Sequence, residues 1–293
     1  MVAINRYLRK KYTGYERPEF APRGSYYSPL PSYEEVQARA AQLFRRQTDL
    51  EPGIRLQPDR QTALIKEIAD FHRDFDWPSQ PAPDKRYYLD NQYFCIGDAL
   101  VLFGLLRKFS PARIIEVGCG FSSALMLDID ERFLNSPVEF TFIEPEPDRL
   151  RSLIRQSEAG QLHILNVPVQ EISEAIFMEL DRADILFIDS SHVTKIGSDV
   201  NYLMFEILPR LLPGVLVHFH DIFWPFEYPL DWIMEGRAWN EAYILRAFLE
   251  YNDTFEILLF NSFLGASFPE FMGEQLPGFL ENTGGSLWLR KVK

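Results

Sequence analysis

The chain has 293 residues, 46% of them hydrophobic, enough to bury one large core or one core with a modest extension. Its 42 acidic residues against 30 basic ones give a formal net charge of −12, which argues against a phosphate backbone as partner, so no nucleic-acid binding is expected. The longest apolar run, Ala99 to Leu106, is too short for a bilayer, no secretory pattern follows Met1, and Cys95 and Cys119 make no disulfide framework; a cytoplasmic protein with no membrane association is expected.

The basic residues Arg6, Arg9, Lys10 and Lys11 read as a solvated tail. Ser32 with Glu35 three residues on predicts a capping box, followed by an apolar face of Val36, Ala40, Leu43 and Phe44. A second helical stripe of Leu64, Ile68, Phe71 and Phe75 ends at the proline-rich stretch Trp77 to Pro83. A third, Phe94 to Lys108, is apolar almost all round, as a helix packed on a sheet would be. Residues 1–84 thus read as an arm and helical extension, and 85–293 as the main domain.

From Arg113 the pattern alternates strand and helix. Strands are predicted at Arg113–Val117, Glu139–Glu144, Leu162–Val167, Asp184–Asp189, Gly214–His220, Phe255–Phe260 and Ser286–Lys291. This is an α/β chain with a doubly wound, Rossmann-like sheet of seven strands, and its ligands are expected at the carboxyl ends of the strands. Asn240 is expected to cap a helix burying Ile244, Leu245, Phe248 and Leu249. Asn261 to Gly285 reads as a long aromatic loop of the kind that forms lids or interfaces.

The first strand runs into Glu116-Val-Gly118-Cys-Gly120-Phe-Ser122-Ser123. Gly118 and Gly120 remove side chains that would keep a ligand from the backbone, and Ser122 opens a helix whose N–H groups face whatever is bound. Glu116 suits a cationic or amino-bearing ligand better than a phosphate. Glu144 closes the second strand, where an acid meets the ribose hydroxyls of an adenosine cofactor. The run resembles motif I of the class I S-adenosylmethionine (SAM) methyltransferases, which implies SAM as cofactor, with Glu116, Gly118, Gly120, Ser122, Glu144 and Asp189 as its binding residues.

The tips of strands four and five carry Asp189-Ser-Ser-His192 and His220-Asp221. Adjacent parallel tips lie roughly 5 Å apart, so Asp189, His220 and Asp221 can converge on one divalent cation and leave His192 as a base. Carboxylates suit Mg²⁺; the imidazole admits Mn²⁺, Fe²⁺ or Zn²⁺. His218, one step deeper on the same face, reads as structural, and Lys195 as solvated. After Asp221, Phe223-Trp-Pro-Phe-Glu-Tyr-Pro229 reads either as a wall of a substrate pocket or as a cover over the core.

The stretch Asp184 to Pro229, with Phe-Ile-Asp-Ser-Ser-His and His-Phe-His-Asp-Ile-Phe, resembles the bacterial methyltransferases that include the metal-dependent macrolide-sugar O-methyltransferases. That resemblance implies metal ligands at Asp189, His220 and Asp221 and a catalytic base at His192; it departs from the relatives at His220, where they carry an acid. The expected function is SAM-dependent methyl transfer to a hydroxyl of a small molecule, a sugar or secondary metabolite, assisted by a divalent metal, Mg²⁺ foremost. Homo-oligomerisation is left open. The alternatives are a metal-dependent oxygenase on the same fold and a non-catalytic SAM-binding protein.

Overall fold

The computed structural model describes residues 20–44, 53–158 and 160–293. They divide into a small unit, 20–44 with Leu230–Ala238, and a large one formed by the rest. In the small unit Ser32 caps the helix Tyr33–Ala38 by accepting the N–H of Glu35, and Val36 is the residue that helix buries. The basic cluster at positions 6–11 lies outside the described residues.

The large unit is built on one seven-stranded sheet in the order β3-β2-β1-β4-β5-β7-β6. The strands are β1 (Arg113–Val117), β2 (Glu139–Ile143), β3 (His163–Leu165), β4 (Ile185–Ile188), β5 (Leu216–Phe219), β6 (Phe255–Phe260) and β7 (Leu287–Lys291). β1 to β5 pair in parallel, and β7 runs antiparallel between β5 and β6. The central strands β1, β4 and β5 are buried on both faces, hence their near-continuous apolar runs. Phe142, Phe187, Phe219 and Trp288 lie in this core with no exposed surface.

The register carries the functional consequence. Val117 pairs with Ile143 on one side and Ile188 on the other, and Ile188 pairs with Phe219. The next residue on each strand therefore falls in one row: Gly118, Glu144, Asp189 and His220. The edge is tied by main-chain bonds from Gly118 N–H to Ile143, Asp189 N–H to Val117 and His220 N–H to Ile188, at 2.8–3.0 Å.

The helix Ile96–Phe109 buries every residue from Gly97 to Leu106 and packs against the helix Phe121–Phe133. On Phe121–Phe133, the buried Asp128 accepts from the Trp77 indole (2.9 Å), from the main-chain N–H groups of Arg86 and Tyr87, and from the Arg86 guanidinium (2.7 Å). It fastens the proline-rich stretch to the sheet layer.

Two expectations change. The helix Pro58–Ala69 stops before Phe71 and Phe75, because a tight turn at His72–Asp74 intervenes; both rings still pack, Phe71 under the Arg107 guanidinium and Phe75 against Trp77 and Phe103. Asn261 to Gly285 is not a loop but two helices, Asn261–Ser267 and Pro269–Gln275, and a final turn Phe279–Glu281. Its apolar residues Phe263, Leu264, Met272, Leu276 and Phe279 are spent on the core. No helix among the described residues is long and apolar enough to cross a membrane.

Candidate active site

The glycine loop is held by a carboxylate beneath it. Glu116 is wholly buried and accepts hydrogen bonds from the hydroxyls of Ser122 (2.5 Å) and Ser123, while Ser123 Oγ accepts the Gly120 N–H at 2.9 Å. Burial pushes the Glu116 carboxyl up to about 8 against the counteracting hydroxyl donors. Of the expected cofactor residues, Glu116 and Ser122 therefore bond each other below the loop, whereas Gly118, Gly120, Glu144 and Asp189 line its edge.

Gly118 is required by packing. Its φ is +85°, and a Cβ there would stand 1.7 Å from the Asp189 carbonyl oxygen. The absent side chain lets β4 approach the loop and brings Asp189 to the cleft. Glu144 accepts from Cys119 N–H at 3.2 Å and Glu146 N–H at 2.9 Å. One carboxylate thus braces the loop from the next strand while remaining half-buried at the edge, and burial raises its pKa.

Around β4 and β5, two carboxylates and two imidazoles gather. His192 Nε2 lies 3.3 Å from Asp189 Oδ1 and 3.7 Å from Asp221 Oδ2; His220 Nε2 lies 3.7 Å from Asp221 Oδ1 and 3.3 Å from the Tyr93 carbonyl. Asp189, His220 and Asp221 can each offer one ligand atom within 4.8 Å of the others. His192 and Asp221 both take left-handed backbone conformations, φ 58°, which non-glycine residues adopt at a cost and which aim their side chains inward here.

His192 is oriented from behind. Its Nδ1 lies 2.9 Å from Glu241 Oε2, so with a carboxylate acceptor Nδ1 carries the hydrogen and Nε2 faces the cleft. Its carbonyl accepts the N–H groups of Asn240 and Glu241, and the Asn240 side chain bonds Thr194. Asn240 thus starts the helix Glu241–Glu250 as expected, but its side chain clamps the His192 loop instead of capping the helix. Trp239 packs tilted against the imidazole, ring centroids 4.4 Å apart.

Charge follows from this crowding. Burial disfavours the imidazolium of His192, yet its hydrogen bonds to Asp189 and Glu241 outweigh this and hold its pKa well above the usual histidine range. His220 is likewise raised, burial being overcome by Asp189 and Asp221. Asp189 ionises first of the two carboxylates: burial is outweighed by the charge of His220 and the bond to His192, whereas burial keeps Asp221 raised. His218 sits one step deeper, stacked on Phe187 at 3.8 Å; burial pushes its pKa well below the usual value, and its Nδ1 has no hydrogen-bond partner. Lys195 is exposed.

The donor set fits a divalent cation: two carboxylates and an imidazole converge, and the excess negative charge of the cleft is what holds protons on the histidines. In the aromatic segment, Phe226 and Tyr228 are buried and cover the core, and Trp224 packs edge-on against Phe263.

Sequence reasoning missed four residues. Glu241 presents only as a favourable acid in the first turn of a helix; nothing local points to His192. Asp98, inside the apolar helix Ile96–Phe109, accepts from Ser286 N–H and Oγ and from Asn261, and so fixes the strand that flanks β5. Arg149 and the Tyr93 ring beneath it gave no pattern to read.

Residues 115–222 match a family model described as a methyltransferase domain. The chain is 35% identical over 165 residues to an uncharacterized protein of Archaeoglobus fulgidus, covering 55% of this chain and 74% of that one. It is similar in fold to the S-adenosylhomocysteine (SAH)-bound methyltransferase PaMTH1 of Podospora anserina, at 16% identity and TM-score 0.43 over 90% of this chain and 98% of that one. A further likeness is to the O-methyltransferase TomG of Streptomyces achromogenes, involved in tomaymycin synthesis, at 15% identity and TM-score 0.41 over 78% and 90%. Over residues 115–222 the chain is similar to that methyltransferase-domain family.

Proposed function

We propose that this protein transfers the methyl group of SAM to a hydroxyl oxygen of a small molecule, a sugar or secondary metabolite, with the help of a divalent cation held by Asp189, His220 and Asp221. The observation that carries this reading is the single row of strand tips. It sets Glu144, the glycine loop and the cluster of Asp189, His220, Asp221 and His192 side by side on one edge, which supports an adenosine end at Glu144.

The methyl of SAM is already activated by its sulfonium, so the remaining tasks are to align an oxygen nucleophile and to remove its proton. Asp189, His220 and Asp221 would hold a divalent cation, which would supply Lewis-acid polarisation of the acceptor hydroxyl and offset the carboxylates that hold the His192 proton. His192 Nε2, facing the same carboxylates, accepts the hydroxyl proton, and Glu241 stabilises the imidazolium that results. Trp239, 4.4 Å from the imidazole, helps exclude water beside it.

The test is incubation with SAM and a panel of hydroxylated sugars and secondary metabolites, with and without EDTA, followed by mass spectrometry. An acceptor gaining one methyl on oxygen, and only with metal, supports the reading. Metal-independent transfer removes the cation from it, and O₂ consumption without methyl transfer selects an oxygenase instead.

A further inference from the structure

The cleft edge is acidic throughout: Glu144, Asp189 and Asp221 face it, with Glu116 below. That suits the ammonium and sulfonium of SAM, and the imidazoles of the edge are already engaged by Asp189, Asp221 and Glu241, so the α-carboxylate needs another cationic partner. Arg149 is placed to supply one. From the helix Asp148–Leu153 its side chain folds back across the glycine loop, and Cδ stands 2.9 Å, and Nη1 3.7 Å, from where a Cβ on Gly120 would be. The guanidinium carbon lies 3.8 Å from the centroid of the Tyr93 ring, which is itself stacked on Phe121 at 5.6 Å and 13°.

Apart from the Tyr93 ring, no side chain among the described residues holds the Arg149 guanidinium. Arg86, Arg113, Arg132 and Arg155 all make ion pairs, whereas among the described residues the half-buried Arg149 guanidinium makes neither an ion pair nor a hydrogen bond. The contact with Tyr93 holds the guanidinium over the ring, while its N–H groups, which can receive a carboxylate bidentately, make no hydrogen bond among the described residues. It lies over Gly120, where the helix Phe121–Phe133 begins and where the macrodipole also favours an anion. Its charge reaches Glu144 and Asp189, favouring the ionised form of both.

We propose that Arg149, held over the Tyr93 ring and admitted by Gly120, is the recognition residue for the carboxylate at the methionine end of the cofactor. This rests on the reading of the glycine loop as a SAM site, and it makes the presence of an amino-acid tail, not the adenosine, the feature that Arg149 selects. Calorimetry with two probes separates the two claims: SAH, which carries the carboxylate, and 5′-methylthioadenosine, which shares the adenosine and thioether but lacks the amino acid.

Arg149→Ala weakens SAH by about tenfold or more, the scale of a lost charge-assisted pair, and leaves 5′-methylthioadenosine within about twofold of wild type. Arg149→Lys retains part of the SAH affinity. The unchanged methylthioadenosine affinity also shows that the variant is folded. Unchanged SAH binding by Arg149→Ala, or an equal loss for both probes, overturns the assignment while the SAM site stands. Failure of the wild-type protein to bind SAH overturns the assignment and the SAM site together.

Discussion

His192 and Glu241, 49 residues apart in the chain, face each other across 2.9 Å inside the fold, Nδ1 to Oε2, both side chains buried. The other Glu241 oxygen is buried without a hydrogen-bond partner, a cost that a purely structural pair would have little reason to bear. The relationship fixes which nitrogen of His192 faces the carboxylates of the cleft. Glu241→Gln preserves shape but removes the charge that stabilises the imidazolium, and it is expected to lower turnover by about 10–100-fold, the usual effect of losing an orienting carboxylate. SAM affinity should stay unchanged by calorimetry. Wild-type turnover in this variant would show that the pair serves folding alone.

His192→Ala separates base from ligand. Loss of the proton acceptor lowers methyl transfer by roughly 10²–10⁴-fold while SAM and metal affinity stay near wild type, and the rate–pH profile loses the limb that reports an imidazole. A variant that loses metal instead makes His192 a ligand.

Glu144→Ala tests the adenosine end of the site. The carboxylate accepts two main-chain N–H groups at the loop and is expected to meet the ribose hydroxyls. SAH binding, read by calorimetry, should weaken by about 1–3 kcal/mol, the usual cost of losing a charged hydrogen-bond partner. Undiminished affinity would move the adenosine elsewhere.

Glu116 gives a pH signature. Burial raises its carboxyl from an ordinary 4.5 to about 8, so between those values the folded protein binds more protons than the unfolded chain, and the contribution of this group to stability falls as pH rises through that window. Below 4.5 both states are protonated and the effect vanishes. Thermal midpoints of ligand-free protein should therefore decline more steeply from pH 5 to 8 in wild type than in Glu116→Gln. Parallel curves would mean that Glu116 titrates alike in both states.

Gly118→Ala should be among the most damaging single changes, because the added methyl would overlap the Asp189 carbonyl at 1.7 Å in a left-handed backbone. A lowered thermal midpoint together with lost SAH binding is expected; a stable, binding-competent variant would show that β4 has room to withdraw.

Much of this was legible in the chain because parallel strands announce themselves: Ile114 to Val117, Ile185 to Ile188 and Leu216 to Phe219 are apolar runs that stop abruptly at a glycine, an acid or a histidine. The register then does the rest, since tips that end together bring Asp189 and His220 side by side. What was not legible is non-local or masked by composition. Gly265, Pro269 and Gly273 disguised two helices as a loop, although Pro269 is the first residue of the second. Glu241 reads as an ordinary helix-start acid, and its partner is a fold away. Arg149 sits in a short charged helix whose sequence looks solvated, and only the folded loop shows the ring and the glycine it lies against.

The most direct test of the proposed chemistry is a crystal grown with SAH and Mn²⁺ and measured at the manganese edge. The expected result is SAH along the glycine loop with its ribose at Glu144, and one anomalous peak bounded by Asp189, His220 and Asp221 on the acceptor side of the sulfur. SAH bound there with no anomalous peak among those three residues, or with the metal at another site, would contradict the metal-assisted mechanism.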